Sequence, residues 1–296
     1  MKRYPIVAAV ALAVTLFSVT VASGQAPPAP VTRYTTRFTA VAAPASSFEI
    51  VQQVVEFAPG AALPFHSHGG PAFVTVIEGE LIFREFGKAG VPVKAGETIR
   101  EEAGQVLDVS NASTARARAS VAFLLPAGAA LTTVQPGVIP PSLGARVLGL
   151  TRGQVTSPAA SFDVVQLVFD FAPGSFGAVH KHGGPGQATV FEGEVTKREG
   201  SQVTAYPAGQ GFPEVPDAVL SVGNTGATSA SMAVVFLLPA GAVLTTPVNA
   251  PGPPSTGTGT ADQAGARQSP GLLAVTLLGV TLLAGAAAVA ARRSRR

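Results

Sequence analysis

Two short motifs hold all four histidines of the 296-residue chain: His66-x-His68 and His180-x-His182. Histidines two apart on an extended strand project to one face, with Cα atoms about 6.5–7 Å apart. Two neutral imidazoles so placed can take neighbouring positions on one divalent transition metal (Fe, Mn, Ni, Cu or Zn). Two ligands are too few for a tight site: catalytic zinc takes about three, and non-haem iron adds a carboxylate. Glu101 and Glu214 recur with the histidines, each five residues past a glycine (Gly96 and Gly209), and are candidate third ligands. They fall near the turns before the segments that begin at Leu107 and Leu220. The competing reading makes the four histidines pocket residues, bonded to each other or to water, with at most weak metal binding. Glu78, Glu80, Glu192 and Glu194 flank turn glycines and read as solvated; Arg84 and Arg198 read as solvent-facing strand residues.

The histidine motifs belong to a longer internal repeat. Gly60-x5-His66-x-His68-x3-Ala72-x6-Gly79 returns 114 positions later as Gly174-x5-His180-x-His182-x3-Gly186-x6-Gly193. Pro44–Val51 corresponds to Pro158–Val165, and Phe123–Gly128 to Phe236–Gly241 after a one-residue deletion. Units of roughly 100 residues are duplicated domains, too long for a solenoid repeat. Each is built from short Val- and Phe-rich runs bounded by Gly or Pro, such as 51–57, 73–77 and 121–125, and no convincing amphipathic helix lies between Thr32 and Thr246. That pattern predicts an all-β sandwich or barrel in each unit. The predicted domains are 32–134 and 146–248, joined by a proline-bearing linker over 135–145.

The ends carry targeting signals. A basic start, an apolar run from Ile6 to Ala22 and the small residues after it predict a signal peptide over 1–24. A Pro/Gly/Ser/Thr-rich tether over 249–270 leads to 271–291, an uncharged stretch about as long as a bilayer-spanning helix needs. Arg292, Arg293, Arg295 and Arg296 follow, which predicts a cytoplasmic tail over 292–296 with the two domains outside. A processed, sorting-signal tail is the alternative, although Pro254-Ser255-Thr256-Gly257 is only a partial echo of such a motif. Six of the 20 basic residues lie in these ends, so the exported part has 14 against 17 acidic residues and no basic run for nucleic acid. No cysteine is present, which excludes disulfides and thiolate metal sites.

The repeated motif resembles the first signature of the cupins, Gly-x5-His-x-His-x3-Glu-x6-Gly. The second signature, Gly-x5-Pro-x-Gly-x2-His-x3-Asn, is similar to Gly96-x5-Glu102-Ala103-Gly104-x2-Leu107-x3-Asn111 and to Gly209-x5-Val215-Pro216-Asp217-x2-Leu220-x3-Asn224. The resemblance covers about residues 32–248 and implies a bicupin, two jelly-roll β-barrels in tandem. It also implies a metal held by two His and one Glu from the first signature and one His from the second. Here the Glu position is Ala72 or Gly186 and the second-signature His position is Leu107 or Leu220. With two of four ligand positions lost in both copies, the reading is a non-catalytic small-ligand or cell-surface module. The alternative is a metal-dependent dioxygenase or decarboxylase with an atypical site. A homo-oligomer remains open, because cupins pair through their sheets and a tandem pair can meet that need within one chain. Asn111-Ala112-Ser113 is a glycosylation sequon by pattern alone.

Overall fold

The computed structural model describes residues 28–136 and 144–248. The expected signal peptide, tether, membrane span and cytoplasmic tail, with most of the expected linker, lie outside the described residues. Among the described residues, no helix is long and apolar enough to cross a membrane.

The first repeat runs β1 (Val31–Ala42), β2 (Ser47–Phe57), β3 (Ala62–Ser67), β4 (Ala72–Glu78), β5 (Glu80–Glu85), β6 (Val91–Lys94), β7 (Thr98–Glu101), β8 (Leu107–Ser110), β9 (Ala117–Pro126) and β10 (Thr133–Val134). The second follows the same order: β11 (Ala145–Thr156), β12 (Ser161–Phe171), β13 (His180–His182), β14 (Gly186–Glu192), β15 (Glu194–Glu199), β16 (Gln202–Pro207), β17 (Gly211–Glu214), β18 (Leu220–Gly223), β19 (Ala230–Pro239) and β20 (Thr245–Pro247). The described chain is all-β and forms two jelly-roll barrels, each of two five-stranded sheets. Barrel 1 packs the sheet β11-β2-β9-β4-β7 on β10-β3-β8-β5-β6, and barrel 2 packs β1-β12-β19-β14-β17 on β16-β15-β18-β13-β20. The β4–β5 and β14–β15 turns need Gly79 and Gly193, both at positive φ, where a Cβ would also strike backbone at 2.8 and 2.3 Å.

The sheet order shows an exchange that the repeat boundaries hide. Strand β1 of the first repeat pairs with β12 of the second, and β11 of the second pairs with β2 of the first. Each exchanged strand is fastened by two arginine–carboxylate pairs. Arg33 and Arg37 reach Asp170 and Asp163, while Arg146 and Arg152 reach Glu56 and Glu49.

The central strands β9 and β19 are buried on both faces, which fits their continuous apolar stretches Val121–Leu125 and Met232–Leu238. One face fills its own barrel: Val51, Val74, Leu81, Val109 and Phe123 in the first, Val165, Val190, Val222 and Phe236 in the second. The other face joins the barrels, with Phe48, Ile50, Phe73 and Leu124 packed on Phe162, Val164, Val235 and Leu237. Two of the polar groups caught in this seam are bonded across it. Gln166 donates to the Phe73 carbonyl at 2.6 Å, and Thr189 to the Gln52 carbonyl at 3.0 Å.

Candidate metal and ligand pockets

His66 on β3, His68 just past its end, and His180 and His182 on β13 line the cavity of their barrel, as the two-residue period requires. His66, His68 and His182 are buried, and His180 is half-buried. All four Nδ1 atoms are tied to backbone carbonyls: His66 to Pro64 (2.7 Å), His68 to Leu131 (2.5 Å), His180 to Ala178 (2.7 Å) and His182 to Leu244 (2.7 Å). A carbonyl can only accept, so each Nδ1 carries the hydrogen. A neutral ring so fixed turns its Nε2 lone pair to the cavity. Nδ1–H held by a carbonyl is the outer-shell arrangement that orients metal-ligating histidines.

Carboxylates complete the arrangement. Glu101 is the last residue of β7 and lies directly across from Ala72 on β4; Glu214 on β17 lies across from Gly186 on β14. Paired residues share a face with Cβ atoms about 4.5–5.5 Å apart. Each carboxylate therefore stands one strand away from the cupin Glu position, on the same wall. Neither belongs to a solvated turn: Glu101 is 4% exposed and Glu214 3%. Glu101 Oε2 lies 3.1 Å from His68 Nε2, and Glu214 Oε2 lies 3.8 Å from His182 Nε2. Both Oε2 atoms are sealed from solvent without a hydrogen-bond donor. In barrel 2 the Nε2 atoms of His180 and His182 face each other at 3.1 Å. Lone pairs directed at one another over such distances call for a proton or a metal cation between them.

Burial sets the ionisation of these groups. It lowers His66, against the opposing bond to Pro64. It lowers His182 from 6.5 to about 4 and raises Glu214 from 4.5 to about 7, with Lys197 partly offsetting the latter. At neutral pH His182 is uncharged, so its contact with Glu214 is not an ion pair.

The donor set in each barrel, two imidazoles and one carboxylate, fits a divalent transition metal and leaves further coordination positions open. Among the described residues, no three such groups have closed to a metal-ready cluster, so loading requires the donors to draw together. The His66 and His68 ring centroids lie 4.9 Å apart. The cupin Glu position itself is shut in barrel 2, where a Cβ on Gly186 would meet the Phe236 ring at 2.6 Å. The second-signature His position is filled by Leu107 or Leu220, each paired across strands with His66 or His180.

Behind each donor set lies a cavity, about 300 Å³ in barrel 1 and about 280 Å³ in barrel 2. The first is walled by residues such as Phe57, Val74, Phe83 and Phe123, with Gln53 and Thr132 as added polar groups. The exchanged strands finish both walls: Ala145 and Val147 of β11 line the first cavity, and Thr32 of β1, with Pro30 just before it, the second. Sequence reasoning missed these strands and Gln53, whose counterpart in the repeat is Leu167. It also missed Lys197, although a lysine opposite Phe83 in the aligned repeats is a visible mismatch. Arg84 and Arg198 are exposed, as expected, the first paired with Asp108 and the second over the Phe176 ring. Asn111 is 1% exposed and donates to the Phe57, Ala58 and Ala115 carbonyls, so the sequon asparagine is sealed inside the fold.

Among solved structures the described fold is similar to vicilin from Capsicum annuum (TM-score 0.50, 9% identity, 67% of this chain and 78% of that one). It is also similar to vicilin from Corylus avellana, hazelnut (TM-score 0.48, 11% identity, 67% and 78%). A third likeness is to an oxalate decarboxylase–formate complex from Lactobacillus farciminis (TM-score 0.45, 11% identity, 72% and 88%). At such identities the likeness is one of fold alone. No curated protein matches the sequence. Residues 53–123, the segment that carries His66, His68 and Glu101, match the family model of the cupin domain.

Proposed function

We propose that this chain is an extracytoplasmic, membrane-tethered bicupin whose first barrel binds a divalent transition metal and, behind it, a small, largely apolar ligand. The observation that carries the reading is the orphaned Glu101 carboxylate beside His68, on the same wall as the cupin Glu position. His66, His68 and Glu101 would hold the ion, which when bound supplies Lewis acidity and open coordination positions. The Pro64 and Leu131 carbonyls keep both rings turned toward it, and the apolar walls exclude water and shape the ligand. Two histidines and a carboxylate also support a second reading, metal-dependent chemistry of dioxygenase or decarboxylase type. The two-imidazole account of a non-catalytic module is extended here to three donors, with Glu101 on the neighbouring strand as the candidate carboxylate.

The test is elemental analysis of the full chain purified without a histidine tag. Near-stoichiometric Fe, Mn, Ni, Cu or Zn, lost in the His66→Ala/His68→Ala variant and weakened in Glu101→Gln, is the expected result. A chain that takes up no metal after supplementation refutes the reading. The outside topology is tested separately by placing a cysteine at exposed Val203 in the cysteine-free chain and labelling intact cells with an impermeant maleimide.

A further inference from the structure

The two barrels differ where their repeats should match. Phe83 on β5 and Lys197 on β15 are equivalent, 114 positions apart, and pair across strands with the equivalent residues Val109 and Val222. Both are buried, Phe83 at 4% and Lys197 at 8% exposure. Phe83 belongs to the barrel 1 core and lines its cavity. The Lys197 ammonium stands 5.2 Å over the ring of Phe212, two residues before Glu214 on the same face of β17, and pairs with Glu199 at 2.6 Å. Barrel 2 thus carries a fixed cation beside its donor set where barrel 1 presents a phenyl ring. In barrel 1 the one arginine at the cavity, Arg146, is committed to Glu56. The carboxylates differ in the same sense: Glu101 is 3.1 Å from its histidine, Glu214 3.8 Å.

We infer that the barrels do not load alike: barrel 1 is the metal site of the chain, and Lys197 keeps barrel 2 empty at metal concentrations that fill barrel 1. This rests on the metal reading of barrel 1 given above. The physical cause is repulsion between a divalent ion and a buried ammonium. Such repulsion is weakly screened away from water, and the partly exposed Glu199 offsets it only in part.

The experiment titrates cobalt(II) into the metal-free full chain, reading bound cobalt by its visible absorption and by elemental analysis. One tight equivalent is expected, with a second at least about tenfold weaker. His66→Ala/His68→Ala should remove the tight equivalent, and His180→Ala/His182→Ala should leave it. Lys197→Phe, which copies barrel 1, should bring a second tight equivalent, and Lys197→Met, which keeps the aliphatic bulk, should do so if the phenylalanine variant fails to fold. Two equal equivalents in the wild type, or a tight equivalent that vanishes with His180 and His182, overturn the inference while leaving metal binding intact. A Lys197 variant that folds and still takes one equivalent overturns the role of that lysine. No tight cobalt at all overturns both this inference and the reading beneath it.

Discussion

Replacing Glu214 by Gln should stabilise the metal-free protein at alkaline pH, although the glutamate lies at the centre of a candidate site. Its carboxyl is 3% exposed, and its Oε2 has no hydrogen-bond donor. A carboxyl raised from 4.5 to about 7 by burial disfavours its ionised form by about 3 kcal/mol in the folded state. His182 is displaced the other way, from 6.5 to about 4. Glu214's contribution to stability is whole below pH 4.5 and is lost as the pH rises through 7. His182's is whole above 6.5 and is lost as the pH falls through 4. Between about 4.5 and 6.5 the native state holds a proton on Glu214, while the unfolded chain holds one on the histidine. The two slopes cancel, so these groups leave wild-type stability flat across that window. Glu214→Gln removes one slope and exposes the other. At pH 8 the gain is about 2 kcal/mol, once roughly 1 kcal/mol is allowed for the unsatisfied amide. For described residues numbering about 200, that raises the melting midpoint by roughly 4–8 °C. The midpoint of the variant should also climb more steeply between pH 4.5 and 6.5 than that of the wild type, because the lowered His66 adds the same slope to both and only the variant lacks the opposing slope of Glu214. Thermal melts followed by circular dichroism in excess chelator measure both. Equal midpoints at pH 8 would show that Glu214 is not held as an uncompensated buried carboxylate, and the argument would fail.

Other perturbations separate the structural parts. Glu56→Ala strips the closest partner from Arg118, a buried guanidinium whose remaining contacts, Glu78 and Glu192, are at 3.6 and 3.5 Å. It should cost about 3 kcal/mol in chemical denaturation, whereas Arg37→Ala, at an exposed pair, should cost less than about 1 kcal/mol. Asn111→Ala leaves three carbonyls without their shared amide donor and should cost about 2–3 kcal/mol, read as a lowered melting midpoint. Gly186→Glu, which restores the cupin residue in sequence, drives a Cβ into Phe236 and the Val235 carbonyl. It should lower stability by about 1–3 kcal/mol and bring no tighter cobalt binding.

The barrels were legible because strand signals are local: Val- and Phe-rich runs closed by Ala-Pro-Gly pointed to β2 and β12, and the 114-residue offset to their duplication. The histidine faces were legible for the same reason, since a period of two fixes a side-chain direction without knowledge of neighbours. The exchange of β1 and β11 was not. Both strands read as the natural start of their own repeat, and only the pairing with β12 and β2 shows where each belongs. Even so, the arginines that fasten them, Arg33, Arg37, Arg146 and Arg152, each stand a few residues before or within a run with no acidic partner nearby in sequence. Charges without a local partner were a signal of a distant one. The cavity walls were hidden by the same exchange, because part of each wall comes from the other repeat.

The carboxylates show how a donor missing from a motif read along the chain can stand beside that position on the neighbouring strand. Ala72 and Glu101 are 29 positions apart in sequence, yet they are direct partners on adjacent strands, and Gly186 and Glu214 are partners in the same way. Because paired residues share a face, a carboxylate moved from one to the other stays on the same wall of the barrel. The position it does not occupy must then be small, as Ala72 and Gly186 are, since in barrel 2 the Phe236 ring lies where a side chain would begin. The second-signature position behaves differently. Leu107 and Leu220 pair with His66 and His180 and put hydrocarbon where a third imidazole would stand. That substitution dries the site, and burial is what lowers His66 and His182 and raises Glu214. A carboxylate supplied by the neighbouring strand and an imidazole replaced by leucine therefore act together. In the proposed metal reading, the first would keep the charge needed to hold a cation, and the second would remove the water that competes with a ligand for its open positions.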